Sequence, residues 1–211
     1  MAVINDLFGA SRQPEPLAIP DADLRFMHGF YPPDECAALL ADLLEQTPWR
    51  QERIEVWGKV HDQPRLTSWH GDPGTDYTYS DITLATCPWT PLLSRLRRDI
   101  EEATGHRYNS VLLNLYRNQH DGVGWHSDDE RELGRMPVIA SLSLGETRSF
   151  RLRHRERRHA PVSMALTDGS LLLMAGATQR NWQHAIPKER RGKGPRINLT
   201  FRQIAQSARR D

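Results

Sequence analysis

Three pairs in this sequence place an acidic residue two positions after a histidine: His70 with Asp72, His126 with Asp128, and His154 with Glu156. In an extended segment, residues two apart point to the same side, so each pair could supply two ligands to a metal ion. For this composition, chance alone predicts roughly one such pair. The spacing is therefore weak support by itself, and the surroundings must separate the three.

The first and third pairs favour structural roles. His70 precedes a turn signal, Asp72-Pro73-Gly74, and His154 lies in an arginine-rich run where Glu156 has many local partners. Neither setting is typical of a metal site.

His126 lies in a more suggestive position. It follows a glycine-containing bend directly after an apolar stretch, and another histidine, His184, occurs in a later apolar stretch. Two histidines and one carboxylate on one side of a metal leave open positions for a cosubstrate and oxygen. His126, Asp128 and His184 are therefore the candidate metal ligands, although a hydrogen-bonded histidine beside an acid is the commoner outcome of such spacing.

A second group of polar residues lies on two apolar segments near the same motifs. Residues 196–202 alternate without a break between polar and apolar side chains. The polar face of this strand and of residues 111–116 would carry Arg196, Asn198, Thr200, Arg202, Asn114 and Tyr116. Arginine with amide and hydroxyl groups suits a small dicarboxylate, which predicts a 2-oxoglutarate pocket. The alternative is a polar face that meets water.

The remaining pattern predicts a mainly β domain with flanking helices. One helix opens at Pro33 and ends before Pro48, and a second begins at Thr90-Pro91 and stops at Gly105. Short strands follow at 110–117, 138–144, 149–154, 162–166, 170–174, 182–186 and 196–203. Many short strands favour a sandwich or barrel.

Composition predicts an ordinary soluble domain. The chain has 211 residues, 38% apolar and 26% charged, with a net charge of +1. Residues 1–10 do not resemble a signal peptide and no stretch approaches membrane-spanning length, so we expect no membrane partner. Cys36 and Cys87 have no metal or disulfide spacing, which indicates a reducing, cytoplasmic setting. The basic residues are 25 Arg and three Lys, and the dense run at 148–159 reads as a solvated edge strand and loop.

Taken together, these motifs resemble the AlkB family of nucleic-acid dealkylases. The resemblance rests on Asn114-x-Tyr116, His126-x-Asp128, His184, and the Arg-x-Asn-Leu-Thr-Phe-Arg segment at 196–202. It covers most of residues 52–204, and Val56-Trp57-Gly58-Lys59, Tyr77-Thr78-Tyr79-Ser80 and residues 126–133 make it closest to the members that act on duplex DNA.

The resemblance implies an α+β fold, a double-stranded β-helix of the jelly-roll type with an N-terminal nucleotide-recognition lid. Residues 1–20 would form an extended arm, and 21–211 a single dioxygenase domain. Within it, the lid would occupy about 50–85 and the jelly-roll core 106–204.

The resemblance also implies the chemistry. His126, Asp128 and His184 would hold iron(II), while Arg196 and Arg202 would bind the carboxylates of 2-oxoglutarate. Asn114, Tyr116, Asn198 and Thr200 would complete that pocket. With O2, such enzymes hydroxylate an N-alkyl carbon, and carbon dioxide, succinate and formaldehyde are released.

Other residues would contact the substrate by the same resemblance. Trp57 aligns with an aromatic finger that fills the vacated duplex position, Tyr77 and Tyr79 with lid residues beside the flipped base, and Glu130 with an acid facing its exocyclic edge. Phosphate contacts would come from Arg65, Lys188, Arg190, Arg191 and Lys193.

We expect a monomer that repairs N1-methyladenine and N3-methylcytosine lesions in alkylated DNA. The alternatives are an RNA demethylase, a catalytically silent nucleic-acid binding protein, and a hydroxylase of proteins or small molecules. Only the last would be indifferent to the lid aromatics.

Overall fold

A computed structural model describes residues 14–56, 59–75, 77–79, 82–84 and 86–205. The helices are α1 (Pro33–Gln46), α2 (Pro91–Thr104) and α3 (Thr178–Asn181). The strands are β1 (Glu15–Pro16), β2 (Asp23–Met27), β3 (Arg53–Val56), β4 (Lys59–Asp62), β5 (Leu66–Gly71), β6 (Tyr77–Tyr79), β7 (Ile82–Leu84), β8 (Ser110–Tyr116), β9 (Val123–His126), β10 (Ile139–Gly145), β11 (Arg148–His154), β12 (Val162–Leu166), β13 (Leu171–Ala175), β14 (Trp182–Ile186) and β15 (Arg196–Arg202).

Both long helices were predicted, and local chemistry sets their ends. Thr90 caps α2, since its hydroxyl accepts a hydrogen bond from the Leu93 N–H, and Gly105 ends the helix in the left-handed region at φ 72°. α1 carries proline at its first position. In the described part of the chain, no helix combines the length and the apolar character that a membrane crossing requires.

Two antiparallel sheets form the body of the domain. The major sheet has the strand order β1-β2-β13-β10-β15-β8-β5, and the minor sheet has the order β12-β11-β14-β9. Two separate hairpins, β3-β4 and β6-β7, precede α2. From β8 onward, successive strands alternate between the two sheets except for the β11-β12 hairpin of the minor sheet, as in a jelly roll, which confirms the predicted fold class.

The strand alternation divides the core into two layers. The apolar face of β15, with Ile197, Leu199 and Phe201, packs against α1 and α2. The opposite face of the major sheet meets the minor sheet, where Phe150 and Leu152 of β11 lie in a second apolar cluster. All seven residues of β15 are buried, so its polar face does not meet bulk water but lies between the sheets.

The structure extends the strand prediction in three places. β2 and β5, both outside the range 106–204, join the major sheet, and β9 forms where a bend was expected. β5 runs Leu-Thr-Ser-Trp-His-Gly without apolar alternation, so its pattern gave no signal for a buried strand. Gly122 precedes β9 because a side chain there would stand 2.7 Å from the Ile186 carbonyl oxygen.

The N-terminal arm and the arginine-rich run can also be compared with the structure. Of the arm expected at 1–20, the described residues 14–20 are extended in part, and β1 pairs with β2 at the edge of the major sheet. The expectation of a solvated edge strand at 148–159 is wrong for β11, which lies between β12 and β14 and buries alternate residues; only its other face and the following turn are exposed. Arg148 is fully buried, and its guanidinium donates to carbonyl oxygens of Asp121 and Pro187.

Candidate metal and cosubstrate site

The two candidate histidines are brought together by strand pairing. His126 at the end of β9 lies directly opposite His184 on β14, and their ring centroids are 4.2 Å apart. Asp128 lies two residues beyond β9 and is 2% exposed. The ligand atoms of all three lie within 4.8 Å of one another. A motif that was ambiguous as a spacing therefore closes into a two-histidine, one-carboxylate cluster.

The tautomer of His126 can be assigned from its hydrogen bond, and it is the tautomer that can bind a metal. The Nδ1 of His126 lies 2.9 Å from the Gly124 carbonyl oxygen, which can only accept a hydrogen bond, so Nδ1 carries the proton. The lone pair is then on Nε2, which lies 4.0 Å from Asp128 Oδ1. The Nε2 of His184 lies 3.9 Å from Asp128 Oδ2. Both Nε2 atoms face the carboxylate across a gap of the size that a cation would fill.

The charge states also suit a cation. Burial lowers the pKa of His184 to about 3 and lowers the pKa of His126, so both rings are neutral at physiological pH. Burial acts to raise the pKa of Asp128, but Arg202 and the two histidines outweigh it and hold that pKa below its usual value. Two neutral imidazoles and one carboxylate are the donor set expected for iron(II).

Asp128 lies outside the strand ladder, and two side chains hold its loop. The Asp128 N–H donates to Oε1 of Gln179 at 3.0 Å, and the Ser127 hydroxyl donates to the Trp182 carbonyl oxygen at 2.9 Å. Gln179 is 2% exposed, and its amide nitrogen donates only to the sulfur of Met174. Sequence reasoning missed Gln179 because it lies in a short turn with no periodic pattern.

The predicted cosubstrate residues line a cavity between the two sheets, next to the metal cluster. The lining includes Asn114, Tyr116, Arg196, Asn198, Thr200 and Arg202, together with His126, Asp128 and His184. β15 pairs with β8 so that Asn198 lies opposite Asn114 and Arg196 opposite Tyr116. The two strands thus present their polar faces to the same space.

Arg196 is poised for an anion. It is 1% exposed, and Nη2 donates to the Ser143 hydroxyl at 3.0 Å, while Nε and Nη1 are buried without a hydrogen-bond partner among the described residues. Burial lowers the pKa of Arg196 to about 10, which still leaves the guanidinium charged at neutral pH. A buried cation with two unused donors fits a carboxylate of 2-oxoglutarate.

The rest of the pocket is a closed hydrogen-bond network. The Asn198 amide donates to the Ser141 hydroxyl at 2.8 Å and accepts from the Thr200 hydroxyl at 3.1 Å. Arg202 donates to Asp128 Oδ1 at 2.8 Å, which links the cosubstrate strand to the metal cluster. Ser141 and Ser143 were not predicted, although their alternation on the strand beside β15 was a usable signal.

The structure gives Arg65 a different place from the exposed phosphate contact that was expected. Arg65 is 6% exposed, lines the cavity, and donates from Nε to the Asn114 side-chain oxygen at 2.8 Å. A buried arginine bonded to a pocket residue shapes the cavity wall. Its expected contact with phosphate stays a prediction.

The expected substrate residues are only partly visible. Trp57 lies outside the described residues. Tyr77 and Tyr79 belong to β6, but their side chains also lie outside the described part of the structure. Glu130 is partly buried at the start of a short 3-10 turn, Arg131–Leu133, directly after the metal loop.

Ion pairs of Lys193 hold one end of the basic loop at 188–193. Lys188, Arg190 and Arg191 are exposed, as a phosphate-binding loop requires. Lys193, by contrast, pairs with Glu146 at 3.0 Å and with Glu189 at 3.8 Å. Lys193 therefore holds the base of the loop, and its expected contact with phosphate stays a prediction.

A second histidine-histidine-carboxylate cluster lies at the end of β11, away from the cavity, and is formed by Asp21, His154 and His159. The Nδ1 of His154 accepts the Glu156 N–H at 3.1 Å, so a neutral His154 carries its proton on Nε2. That Nε2 faces Asp21 at 3.5 Å and has no lone pair for a metal. The cluster is a hydrogen-bonded latch between two turns.

The comparisons with known proteins agree with this geometry. A family model described as the 2OG-Fe(II) oxygenase superfamily matches residues 23–202. The human alpha-ketoglutarate-dependent dioxygenase alkB homolog 3 is 46% identical over 185 residues, 83% of this chain and 64% of that protein. The DNA oxidative demethylase ALKBH2 of Bos taurus is 38% identical over 197 residues, 90% of this chain and 71% of that protein.

The chain belongs to the AlkB family of the 2OG-Fe(II) oxygenase superfamily. It thus spans slightly less than two thirds of the length of the human AlkB relative. A solved structure described as "The structure of OsALKBH1" aligns with a TM-score of 0.62 at 17% identity, covering 89% of this chain and all of that chain. That likeness supports the AlkB fold.

Proposed function

We propose that this chain removes alkyl groups oxidatively from nucleobases in DNA, acting on lesions of the N1-methyladenine and N3-methylcytosine type. The products would be the repaired base, formaldehyde, carbon dioxide and succinate. The observation that carries the proposal is the direct contact between Arg202 and Asp128. It joins a metal-competent cluster to an anion pocket in a single buried cavity.

The residues present fit both iron(II) and 2-oxoglutarate. His126, Asp128 and His184 would hold the metal, which when bound supplies the oxidising chemistry with O2 and 2-oxoglutarate. Arg196 would bind one cosubstrate carboxylate through its two unused donors. Because Arg202 lies beside Asp128, its positive charge would also attract the entering anion toward the metal cluster.

The buried cavity imposes a condition on the substrate. A base stacked in a duplex cannot reach residues between two sheets, so the nucleotide must leave the stack or come from a single strand. Lesions that block Watson-Crick pairing are the least costly to extract, which favours N1-methyladenine and N3-methylcytosine. We propose that Trp57, Tyr77, Tyr79 and Glu130 contact the extracted nucleotide, in a lid spanning about 50–85.

The exposed loop residues support a DNA substrate. Lys188, Arg190 and Arg191 are available for phosphates, and the ion pairs of Lys193 fix the loop that carries them. Phosphate contacts orient a nucleic acid without reading its sequence. We further propose that the protein acts as a monomer, with residues 21–211 as one domain, in a reducing, cytoplasmic setting.

The decisive experiment measures methyl loss directly. Purified protein with iron(II), ascorbate and 2-oxoglutarate is incubated with N1-methyladenine oligonucleotides, as DNA duplex, DNA single strand and RNA, and the products are weighed by intact mass spectrometry. We expect a loss of one methyl group that depends on 2-oxoglutarate and is absent from the Asp128→Ala variant. Cosubstrate turnover without methyl loss would reject a nucleobase substrate, and no turnover would favour a silent binding protein.

A companion experiment tests the lid. Trp57→Ala and Tyr77→Ala should reduce methyl removal from DNA while leaving the affinity for 2-oxoglutarate unchanged, since the residues proposed to bind 2-oxoglutarate lie on β8 and β15. A hydroxylase of proteins or small molecules would be indifferent to both changes. Methyl removal at the wild-type rate by both variants would overturn their assignment.

A further inference from the structure

The minor sheet has a second face that points away from the cavity. Side chains alternate along a strand, so the neighbours of the inward-facing His126, Leu152 and His184 point outward. We call this surface the outer face. It comprises Trp125 of β9, Arg151 and Arg153 of β11, Ser163 of β12, and Gln183 and Ala185 of β14.

The outer face is positively charged. Arg151 and Arg153 are its only charged residues, both are exposed, and neither forms an ion pair with another described residue. The adjoining turn differs, since Arg155 pairs with Asp129 and Arg158 pairs with Glu156. Arg151 and Arg153 therefore carry uncompensated charge on the strand, whereas on the turn only Arg157 lacks an ion pair with a described residue.

Arg153 is held in a defined orientation. Its Nε donates to the Gln183 side-chain oxygen at 2.9 Å, and its guanidinium carbon lies 4.5 Å from the centroid of the Trp125 ring. The small side chain of Ala185 lets Arg153 reach across β14. The two terminal nitrogens make no hydrogen bond to a described residue, so the planar group is preorganised to donate two parallel bonds to a phosphate.

Trp125 places this surface next to the active site. It is 38% exposed, an unusual exposure for a large apolar side chain, and it directly precedes the candidate metal ligand His126 on the edge strand of the minor sheet. Exposed aromatic rings beside basic groups are typical of surfaces that contact nucleotides. A nucleic acid crossing the edge of β9 would meet Trp125 first.

We propose that the outer face binds the phosphodiester backbone of the DNA whose base occupies the cavity. Arg151 and Arg153 contact phosphates, and Trp125 contacts a sugar or base beside the extracted nucleotide. The inference rests on the proposed function and deepens it, because it adds a contact surface beyond the exposed basic loop. It also gives a role to an arginine-rich strand that the sequence alone assigned to solvent.

Salt dependence of binding tests the proposal. Fluorescence anisotropy measures the affinity of the full chain for a lesion-bearing oligonucleotide, single-stranded and duplex, over a series of salt concentrations. The variants are Arg151→Gln, Arg153→Gln and the double variant, and the matched control is Arg158→Gln, which removes the same charge from an ion pair. Thermal melting verifies that each variant is folded.

We expect each outer-face variant to weaken binding several-fold at low salt. The slope of log affinity against log salt should shrink by about 0.7 per arginine for a single strand and by about 0.9 for a duplex. Arg158→Gln should match the wild type, and Arg153→Lys should restore most of the slope. Loss with duplex alone assigns the surface to the complementary strand, and loss with both substrates assigns it to the lesion strand.

Equal slopes for wild type, Arg153→Gln and Arg158→Gln would overturn the proposal. The methyl-removal assay is read separately with the wild-type chain. If the wild type removes methyl groups while the slopes stay equal, the outer face is not the contact surface and the proposed function stands. If it binds DNA with the expected slopes but removes no methyl group, the proposed function fails and the surface assignment stands.

Discussion

The molecule contains two clusters of the same composition, each with two histidines and one aspartate. His126, Asp128 and His184 line the cavity between the sheets, whereas Asp21, His154 and His159 lie away from that cavity, at the end of β11. Both bring their ligand atoms within 4.8 Å. By residue type and distance alone, the two clusters are equivalent metal sites.

The backbone distinguishes them. The Gly124 carbonyl oxygen accepts a hydrogen bond from Nδ1–H of His126, so Nε2 of that ring is unprotonated and can bind a metal. The Glu156 N–H instead donates to Nδ1 of His154, so the proton of a neutral His154 is on Nε2. Asp128 is 2% exposed, whereas the side chain of Asp21 is 47% exposed. A metal site thus depends on the group behind each ring as much as on the ring itself.

The largest expected effect comes from removing each aspartate in turn. Asp128→Ala should lower metal affinity and turnover by more than about 100-fold, beyond the loss typical of residues that only support a ligand. DNA affinity should persist, because the exposed phosphate contacts are untouched. Asp21→Ala is the matched control and should keep wild-type metal affinity. Calorimetric titration with Mn(II) and a turnover assay measure both.

Equal metal affinity in the two aspartate variants would contradict the distinction between the clusters. A wild-type stoichiometry of two ions, reduced to one by Asp21→Ala, would show that His154 can shed the proton from Nε2. One ion per wild-type chain, lost only in Asp128→Ala, is the expected result.

The charged partner of Asp128 should have the next largest effect. Arg202 and Asp128 form a buried pair, so Arg202→Ala leaves an uncompensated carboxylate and should destabilise the metal-free protein by about 3–5 kcal/mol. Added Mn(II) should recover part of that loss, since a cation replaces the guanidinium. Thermal melting with and without metal, and turnover across 2-oxoglutarate concentrations, are the measurements. A normal dependence on 2-oxoglutarate would contradict the role of Arg202 in the pocket.

The uncharged partner should have a smaller effect. Gln179→Leu removes the acceptor for the Asp128 N–H, so metal affinity should fall about 10–100-fold with the histidines unchanged. Gln179→Glu keeps an acceptor at the same position and should lie closer to the wild type. Co(II) titration followed by its visible absorption reports both affinity and geometry. Identical spectra and affinities for wild type and Gln179→Leu would show that the loop holds Asp128 without this bond.

The sequence predicted the residues of the site better than their supports. The alternation of β15 predicted both faces of that strand, because a period of two is a local property that folding preserves. The sequence could not predict that Gln179 would bond to Asp128, because the two are 51 residues apart and the short helix α3 that carries Gln179 has no periodic pattern. The same limit applies to Arg65, whose hydrogen bond to Asn114 spans 49 residues.

The cluster of Asp21, His154 and His159 shows the same limit of sequence motifs. The pair of His154 with Glu156 was interpreted as structural, yet the acid that faces His154 is Asp21, near the start of the described chain. Glu156 contributes its backbone N–H instead of its carboxylate. Motif spacing describes only side chains, whereas main-chain hydrogen bonds to the histidine rings distinguish the latch from the metal site.

The smallest expected effect concerns the latch itself. The hydrogen bond from His159, at 3.0 Å, holds the pKa of Asp21 below its ordinary value of 3.8. A lowered folded pKa stabilises the protein above the unfolded pKa, and this stabilisation is lost as the pH falls through the folded value. Asp21→Asn should therefore be slightly less stable than wild type at neutral pH, and the difference should shrink as the pH falls below 3.8 and vanish only below the folded pKa of Asp21. Urea unfolding at a series of pH values measures it, and a difference that grows in acid would show that the latch is held by something other than the Asp21 carboxylate.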